Sequence, residues 1–198
     1  MGKRIRSIEL SDAEAVRDIY APFVSDSATS FETEPPDTTA IQQRIRDLTG
    51  QYPWLVFEAD GKVLGYAYAS SYRARKAYQW CVEVSVYVHD KARKCGVGRA
   101  LYLSLFDVLR RQGYANAYGG ITLPNPASVG LHESLGFTTI GVYSRVGYKF
   151  GHWHDVIWLQ LRLLETDEPV PTPYPAADFL SDERVTEVFR QQAQKVNL

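Results

Sequence analysis

Glu83 is the acid most out of place in this chain. It interrupts Cys81-Val-Glu-Val-Ser-Val-Tyr-Val88, an otherwise apolar, β-branched run. Alternation along a strand puts Glu83, Ser85 and Tyr87 on one face and Val84, Val86 and Val88 on the other. A carboxylate on a central strand is costly to bury without a partner or a task. It is therefore either a solvated or ion-paired side chain or a general base in a cleft, its pKa raised by partial burial.

Directly downstream, Arg93-Lys94-Cys95-Gly96-Val97-Gly98-Arg99 opens a helical pattern in which Val97, Leu101, Leu105 and Val108 recur on one side. A strand feeding a glycine-containing turn into a helix presents free backbone N–H groups at a positive dipole end, which favours a phosphate or pyrophosphate. The glycines let an anion approach the main chain, and Arg93, Lys94 and Arg99 add charge. The simpler alternative is a turn that only closes a strand–helix corner. A Rossmann fingerprint is disfavoured because Leu101 stands at the third glycine position and the strand does not open a βαβ unit. A Walker A loop is excluded, since Gly-Lys-Ser/Thr does not occur.

Other candidates are weaker. His132 is either a packed helix histidine or an acid–base group, since imidazole titrates near neutrality. His152 and His154 share a strand face, but no further histidine or cysteine cluster supports a metal, and none is expected. Cys95 at a helix start suits a small loop residue better than a covalent acyl carrier.

The elements that must position these groups are readable from pattern. Ile5–Ile8 is expected as a first strand. Capping boxes at Ser11-Asp12-Ala13-Glu14 and Thr39-Ala40-Ile41-Gln42 are expected to start two helices. Trp54–Ala59 and Val63–Ala69 flank Asp60-Gly61, a hairpin signal, with Trp80–Val88 pairing next. The helix after the glycine loop stops near Gly113, and residues 118–123 read as a strand. Asn125-Pro126 starts a short helix ending at Gly136. Residues 139–146 and 155–163 complete the sheet. A meander followed by helix, strand, helix and two strands predicts an α+β fold with a central mixed, mostly antiparallel sheet flanked by helices. The expected division is a domain over 1–164, a proline-rich linker over 165–180 and a helical extension over 181–198.

Hydrophobic residues make up 45% of the chain and the formal net charge is −1. A substantial core is expected, with no global basic field for nucleic acid or an anionic membrane. No apolar run is long enough to span a bilayer, the two cysteines match no metal-knuckle spacing, and no signal peptide opens the sequence. A cytoplasmic protein with reduced thiols is the simplest expectation.

Asn125-Pro-Ala-Ser128-Val-Gly-Leu-His132-Glu-Ser-Leu-Gly136-Phe137, with the strand and Arg93-x-x-Gly96-x-Gly98, resembles the GNAT superfamily of acyl-CoA-dependent N-acetyltransferases over about residues 3–163. Phe31-Glu-Thr-Glu-Pro35, Tyr52-Pro-Trp-Leu-Val56, Arg75-Lys-Ala-Tyr78-Gln-Trp80, Glu83–Val88 and Gly151-His-Trp-His-Asp155 narrow the resemblance to the phosphinothricin N-acetyltransferase group. That group includes enzymes acting on methionine sulfoximine and methionine sulfone. Where many GNAT members carry a tyrosine seven residues after the Asn, this chain has His132. Cys81 stands where a threonine is common, and Cys95 where the loop is usually polar.

The resemblance implies the GNAT fold and acetyl-CoA as cosubstrate. It implies acetyl-CoA contacts at Val86, Val88, Arg93, Lys94, Cys95, Gly96, Val97, Gly98, Arg99, Asn125 and Ser128. Glu83 and His132 are the implied catalytic pair, and an N–H near Val86 the implied oxyanion donor. The implied substrate is a small glutamate-like amino acid (phosphinothricin, arsinothricin, methionine sulfoximine or sulfone), acetylated on its α-amine as detoxification. Such a substrate carries anionic groups that forked donors suit, so Arg73 and Arg75 are candidate binders, each alternatively a solvated loop arginine. Phe31 and Tyr78 are candidate pocket walls, and Trp80 fits core packing at least as well. The group's members are homodimers, and the same is expected here. Competing expectations are acetylation of ordinary amino acids, polyamines or protein N-termini, and a non-catalytic acetyl-CoA sensor. Paired Arg73 and Arg75 disfavour a polyamine, and the presence of both Glu83 and His132 disfavours a sensor.

Overall fold

The computed structural model describes residues 2–165 and 171–198. Seven strands form one sheet in the order β1-β2-β3-β4-β5-β7-β6, the strands being Lys3–Ser7, Trp54–Ala59, Lys62–Ser71, Cys81–Val88, Asn116–Thr122, Thr138–Lys149 and His152–Arg162. Every pairing is antiparallel except β4 with β5. That single parallel pairing needs a crossover, supplied by α3 (Val97–Gln112). The expected α+β architecture is the observed one.

Two apolar layers sandwich the sheet. Helices α1 (Ala13–Ser25) and α2 (Thr38–Leu48) cover one face with Val16, Ile19, Tyr20, Val24, Ile41 and Ile45 against Trp54, Val56 and Tyr66. The opposite face carries α3, whose Val97, Leu101, Leu105, Val108 and Leu109 pack on Leu55, Phe57, Ala67, Val82 and Val84. The alternation expected of β4 is present: Val82 and Val84 join the α3 core, and Tyr87 packs among the α1–α2 aromatics. Helix α4 (Pro126–Ser134) lies beside β5.

Several boundaries differ from expectation, each for a physical reason. Ser11 does not cap α1. A 3₁₀ turn over Leu10–Asp12 precedes the helix, and the buried Asp12 carboxylate takes the Glu9 N–H and both Arg6 terminal nitrogens, at 2.7 and 2.8 Å. A partly buried ion pair there displaces the local cap. Helix α2 begins at Thr38 instead of after Thr39, because Asp37 accepts from the Ala40 N–H at 2.7 Å. Pro35 and Pro36 hold the approach extended, which suits Asp37 as the cap. The last two strands are longer than expected and join at Phe150-Gly151, both with positive φ. A phenylalanine at that turn position hides it from a glycine–asparagine search. Strand β1 spans Lys3–Ser7 and β5 begins at Asn116, each displaced by about two residues, the usual end uncertainty of pattern reading.

Of the expected linker, residues 166–170 lie outside the described residues. From Pro171 the chain runs along the domain: the Trp80 indole N–H donates to the Pro171 carbonyl, the Tyr174 N–H to the Gln112 carbonyl, and Ala176 is fully buried. After a short turn of helix, α5 (Ala177–Leu180), the helix α6 (Glu183–Gln194) lies against α3 and β1. Its Val185, Phe189 and Ala193, with Val196 beyond it, belong to the same apolar cluster as α3. Phe189→Ala is accordingly expected to destabilise the whole fold by about 3–5 kcal/mol, read as a lower midpoint in a single cooperative denaturant transition. A separate early transition for α6 would show that the helix is not part of this core.

Candidate active site

Strands β4 and β5 pair only from Cys81 to Glu83, opposite Asn116 to Tyr118. Beyond Glu83 they part. Strand β3 stays paired with β4 as far as Val88, while β5 follows β7 in the other direction. A gap therefore opens in the sheet at Glu83, and the backbone groups of Val84–Val88 that face away from β3 have no strand partner.

Glu83 sits at the mouth of this gap, half-buried. No hydrogen bond or ion pair holds its carboxylate among the described residues, and desolvation alone pushes its pKa above the ordinary glutamate value. It faces the same side of the sheet as Tyr68, the cross-strand partner of Ser85.

His132 approaches from the opposite side, on α4. It is buried, and its ring lies against Gly119, where a side-chain carbon would stand 2.9 Å from Nε2. Its Nδ1 is 2.8 Å from the Ser128 carbonyl and its Nε2 is 3.2 Å from the Tyr102 hydroxyl. A carbonyl can only accept, so Nδ1 carries the hydrogen and Nε2 accepts from Tyr102. Burial holds the imidazole pKa below its usual value, so the ring is neutral at pH 7. The Tyr102 hydroxyl also lies 3.5 Å from the Val84 carbonyl, on the strand that carries Glu83. Burial chiefly, and the charge of Glu83 in part, push the Tyr102 pKa up. Tyr102 thus ties His132 to the backbone of the strand that carries Glu83. It was not singled out in the sequence, where it reads as one more apolar-face residue of α3.

At the far end of the gap lies the glycine loop. Gly96 caps α3 with φ of 92°. Gly98 is closely surrounded: a side-chain carbon there would meet Leu131 at 3.3 Å, Val88 at 3.6 Å and Val86 at 3.8 Å. The Val97 side chain is buried in the core, so only its amide faces the loop, among the first-turn N–H groups that lack an intrahelical acceptor. Cys95 is half-buried, with Sγ 3.4 Å from the Arg93 carbonyl. Lys94 is exposed at φ 62°. Arg93 pairs with Asp90 at 2.7 Å and lies over the Phe23 ring, and Arg99 reaches the Ser134 carbonyl on α4 at 3.1 Å. The Asn125 side chain accepts from the Ser128 N–H at 3.1 Å, capping α4 as expected. Helix-end amides, close backbone access and flanking cations form a donor set that fits a diphosphate, and the unpaired edge of β4 leads from it to Glu83.

The candidate substrate residues are divided. Arg73 is exposed and lies over the Tyr72 and Tyr78 rings, 5.1 and 5.7 Å from their centroids. Tyr72 stacks on Tyr118 at 4.2 Å, and Tyr118 is the residue opposite Glu83. Arg73 is thereby held next to the gap, through Tyr72 and Tyr118, which sequence pattern did not single out. Arg75 is exposed at the start of the 3₁₀ turn that carries Tyr78. Phe31 is elsewhere, against the β6–β7 hairpin beside His154, with its ring lying on Gly147. Trp80 is half-buried and bonded to the C-terminal segment, neither pocket wall nor core. His154 Nε2 is engaged by the Lys149 carbonyl at 3.0 Å, and no group of potential metal ligands occurs among the described residues.

A raised carboxyl pKa in the folded state means the fold prefers Glu83 protonated. The penalty is absent well below the unfolded glutamate pKa, grows as pH rises through it, and is full above the folded value. Glu83→Gln is therefore expected to raise the thermal midpoint at pH 7–8 and to leave it nearly unchanged near pH 4. Equal midpoints at both pH values would show that the carboxylate is solvated.

Residues 5–158 match the acetyltransferase (GNAT) domain family. The chain is 41% identical over 152 residues to the phosphinothricin N-acetyltransferase of Streptomyces viridochromogenes, covering 77% of this chain and 83% of that protein. It is 38% identical over 167 residues to the L-methionine sulfoximine/L-methionine sulfone acetyltransferase of Salmonella typhimurium, covering 83% and 97%. In structure it is similar to a GNAT superfamily phosphinothricin acetyltransferase from Sinorhizobium meliloti in complex with acetyl-CoA, with a TM-score of 0.83, 33% identity, and coverage of 89% and 97%. The parted strands, the glycine loop and these likenesses agree, and the chain belongs to the GNAT acetyltransferase family.

Proposed function

We propose that this acetyltransferase moves the acetyl group of acetyl-CoA to the α-amine of a small, glutamate-like amino acid of the phosphinothricin and methionine sulfoximine type. The observation that carries this reading is a half-buried, unpaired Glu83 at the point where the sheet opens, with arginines at the mouth of the opening. Relatives named for those substrates, at 41% and 38% identity, support the substrate class. Detoxification follows, since acetylation removes the ammonium charge by which a glutamate mimic is recognised. No helix among the described residues is long and apolar enough to cross a membrane, and two free cysteines suit a reducing cytoplasm.

Bound acetyl-CoA supplies a thioester carbonyl activated toward amines. The first-turn amides of Val97, Gly98 and Arg99, with Gly96, hold its diphosphate, flanked by Lys94, Arg93 and Cys95. Val86 and Val88 offer the unpaired strand edge to its pantetheine arm, and an amide near Val86 donates to the developing oxyanion. Asn125 and Ser128 fix the start of α4 along the same arm. An ammonium group loses two protons when it becomes an amide; one ends on the departing sulfur and one in solvent. Glu83, its pKa raised toward neutrality, takes the first. His132 would take the second at Nε2 by way of the Tyr102 hydroxyl bonded to it, and the same hydroxyl would return a proton to the sulfur. A protonated Nε2 is accommodated when the Tyr102 hydroxyl turns to the Val84 carbonyl, so the ring need not move. Arg73 and Arg75 bind the anionic groups of the amino acid, with Tyr78 beside them.

The enzyme works as a homodimer on this reading. Strand β6 is the outer edge of the sheet. Its hairpin exposes Ile140, Val142, Tyr143, Val146, Tyr148 and Trp153, each about half accessible, an apolar surface large for a lone chain. Light scattering is expected to give the mass of a dimer, and Trp153→Glu that of a monomer; a monomeric native protein would remove the dimer.

Thiol release from acetyl-CoA, measured across phosphinothricin, methionine sulfoximine, common amino acids and polyamines, tests the activity. Turnover is expected to be highest with the first two. Glu83→Gln is expected to lower kcat by about 10²-fold or more while keeping acetyl-CoA affinity. Arg75→Ala is expected to raise KM for the amino acid and not for acetyl-CoA. Preferred acetylation of polyamines, or an unchanged kcat in Glu83→Gln, would overturn the assignment.

A further inference from the structure

The last residues of the chain lie on the glycine loop. The Asn197 N–H donates to the Cys95 carbonyl at 2.9 Å. The Lys3 ammonium donates to the Val196 carbonyl at 2.7 Å, tying the same segment to β1. Val196 is buried in the cluster that contains Val97, and a side-chain carbon on Gly96 would stand 3.9 Å from Val196 Cα and from the Lys195 carbonyl oxygen. These residues fall outside the family match, which ends at residue 158.

The consequence comes from peptide geometry. In a trans peptide the carbonyl and the N–H point in opposite directions within one plane. The peptide that carries the Cys95 carbonyl carries the Gly96 N–H. Asn197 takes the carbonyl on the tail side, which turns the Gly96 N–H away from the tail. Such a peptide can turn over by trading the ψ of Cys95 against the φ of Gly96, and glycine imposes little steric barrier to that exchange. The tail bond removes this freedom.

We propose that Val196–Asn197 is a positioning element for the cofactor's diphosphate, locking the Cys95–Gly96 peptide so that the Gly96 amide is presented to the anion. This rests on the diphosphate reading of the loop given above. The extension that begins at α6 is, on this view, an anchored arm whose buried Val185, Phe189 and Ala193 deliver its end to the loop.

The test uses full-length protein, calorimetric titration with CoA, and acetyl transfer from S-acetylpantetheine, which has the thioester arm but no diphosphate. Asn197→Pro removes the N–H donor. It is expected to raise the Kd for CoA by about 3- to 10-fold, the range for one lost hydrogen bond, and to leave kcat/KM with S-acetylpantetheine within about twofold. Asn197→Ala keeps the backbone donor and is expected to match the native protein in both. An unchanged CoA Kd in Asn197→Pro, an equal loss in Asn197→Ala, or a parallel loss with S-acetylpantetheine would overturn the proposal. Should Asn197→Pro not fold, Lys3→Met frees the Val196 carbonyl from the other side. A weaker CoA affinity with unchanged S-acetylpantetheine transfer then supports the lock, and an unchanged affinity overturns it. Native protein that binds no CoA would instead sink the functional reading on which the lock depends.

Discussion

Strand β4 is paired along its length on one side and for three residues on the other. Unpaired backbone in a sheet interior is expensive, and a fold keeps it only when something else prevents closure or takes the bonds. Here β5 is committed to β7 from Asn116 to Thr122. The His132 ring also occupies the space over Gly119, so the helix that follows β5 braces it away from β4. The opening thus coincides with the full pairing of β5 to β7 and with the ring seated over Gly119. A molecule with amide groups along an extended arm can pair with the exposed edge as a strand would, which is recognition by backbone before any side chain is considered.

That opening also fixes the protonation states. It admits two ionisable groups from opposite faces, and burial acts on both: the carboxyl of Glu83 is pushed up and the imidazole of His132 pushed down. Each shift favours the neutral form. Neither group is held in an ion pair, so the Glu83 carboxylate is more basic than an ordinary glutamate and the neutral imidazole keeps its acceptor nitrogen. A lysine or arginine placed against Glu83 would stabilise the resting carboxylate and lower its basicity. Arg73 instead lies over the Tyr72 and Tyr78 rings, and Tyr72 stacks on Tyr118, the residue opposite Glu83.

Local features of the site were legible in the sequence, and remote ones were not. The alternation around Glu83, the glycine turn into α3 and the Asn125-Pro126 cap are all encoded within a few residues, and each stands where pattern put it. Tyr102, Tyr72, Tyr118 and Gly119 carry no local signal. Tyr102 lies 30 residues from its partner His132, and Gly119 matters only because a ring arrives from another helix. The failed caps show the same limit: Ser11 has the right spacing, but Arg6 draws Asp12 into a tertiary ion pair that spacing cannot reveal.

The longest reach joins the two ends of the chain. Lys3 and Val196 stand 193 residues apart and meet beside Gly96. Composition alone marks residues 165–180 as a proline-rich connector, which would leave whatever follows free to move. Buried apolar residues decide otherwise, because Phe189 in α6 and Val196 beyond it belong to the same buried cluster as α3 and the sheet. The fixed φ angles of Pro171, Pro173 and Pro175 reduce the entropy lost when the arm docks. Burial of the helix thus carries the segment after it to the Cys95–Gly96 peptide, where the Asn197 N–H meets the Cys95 carbonyl.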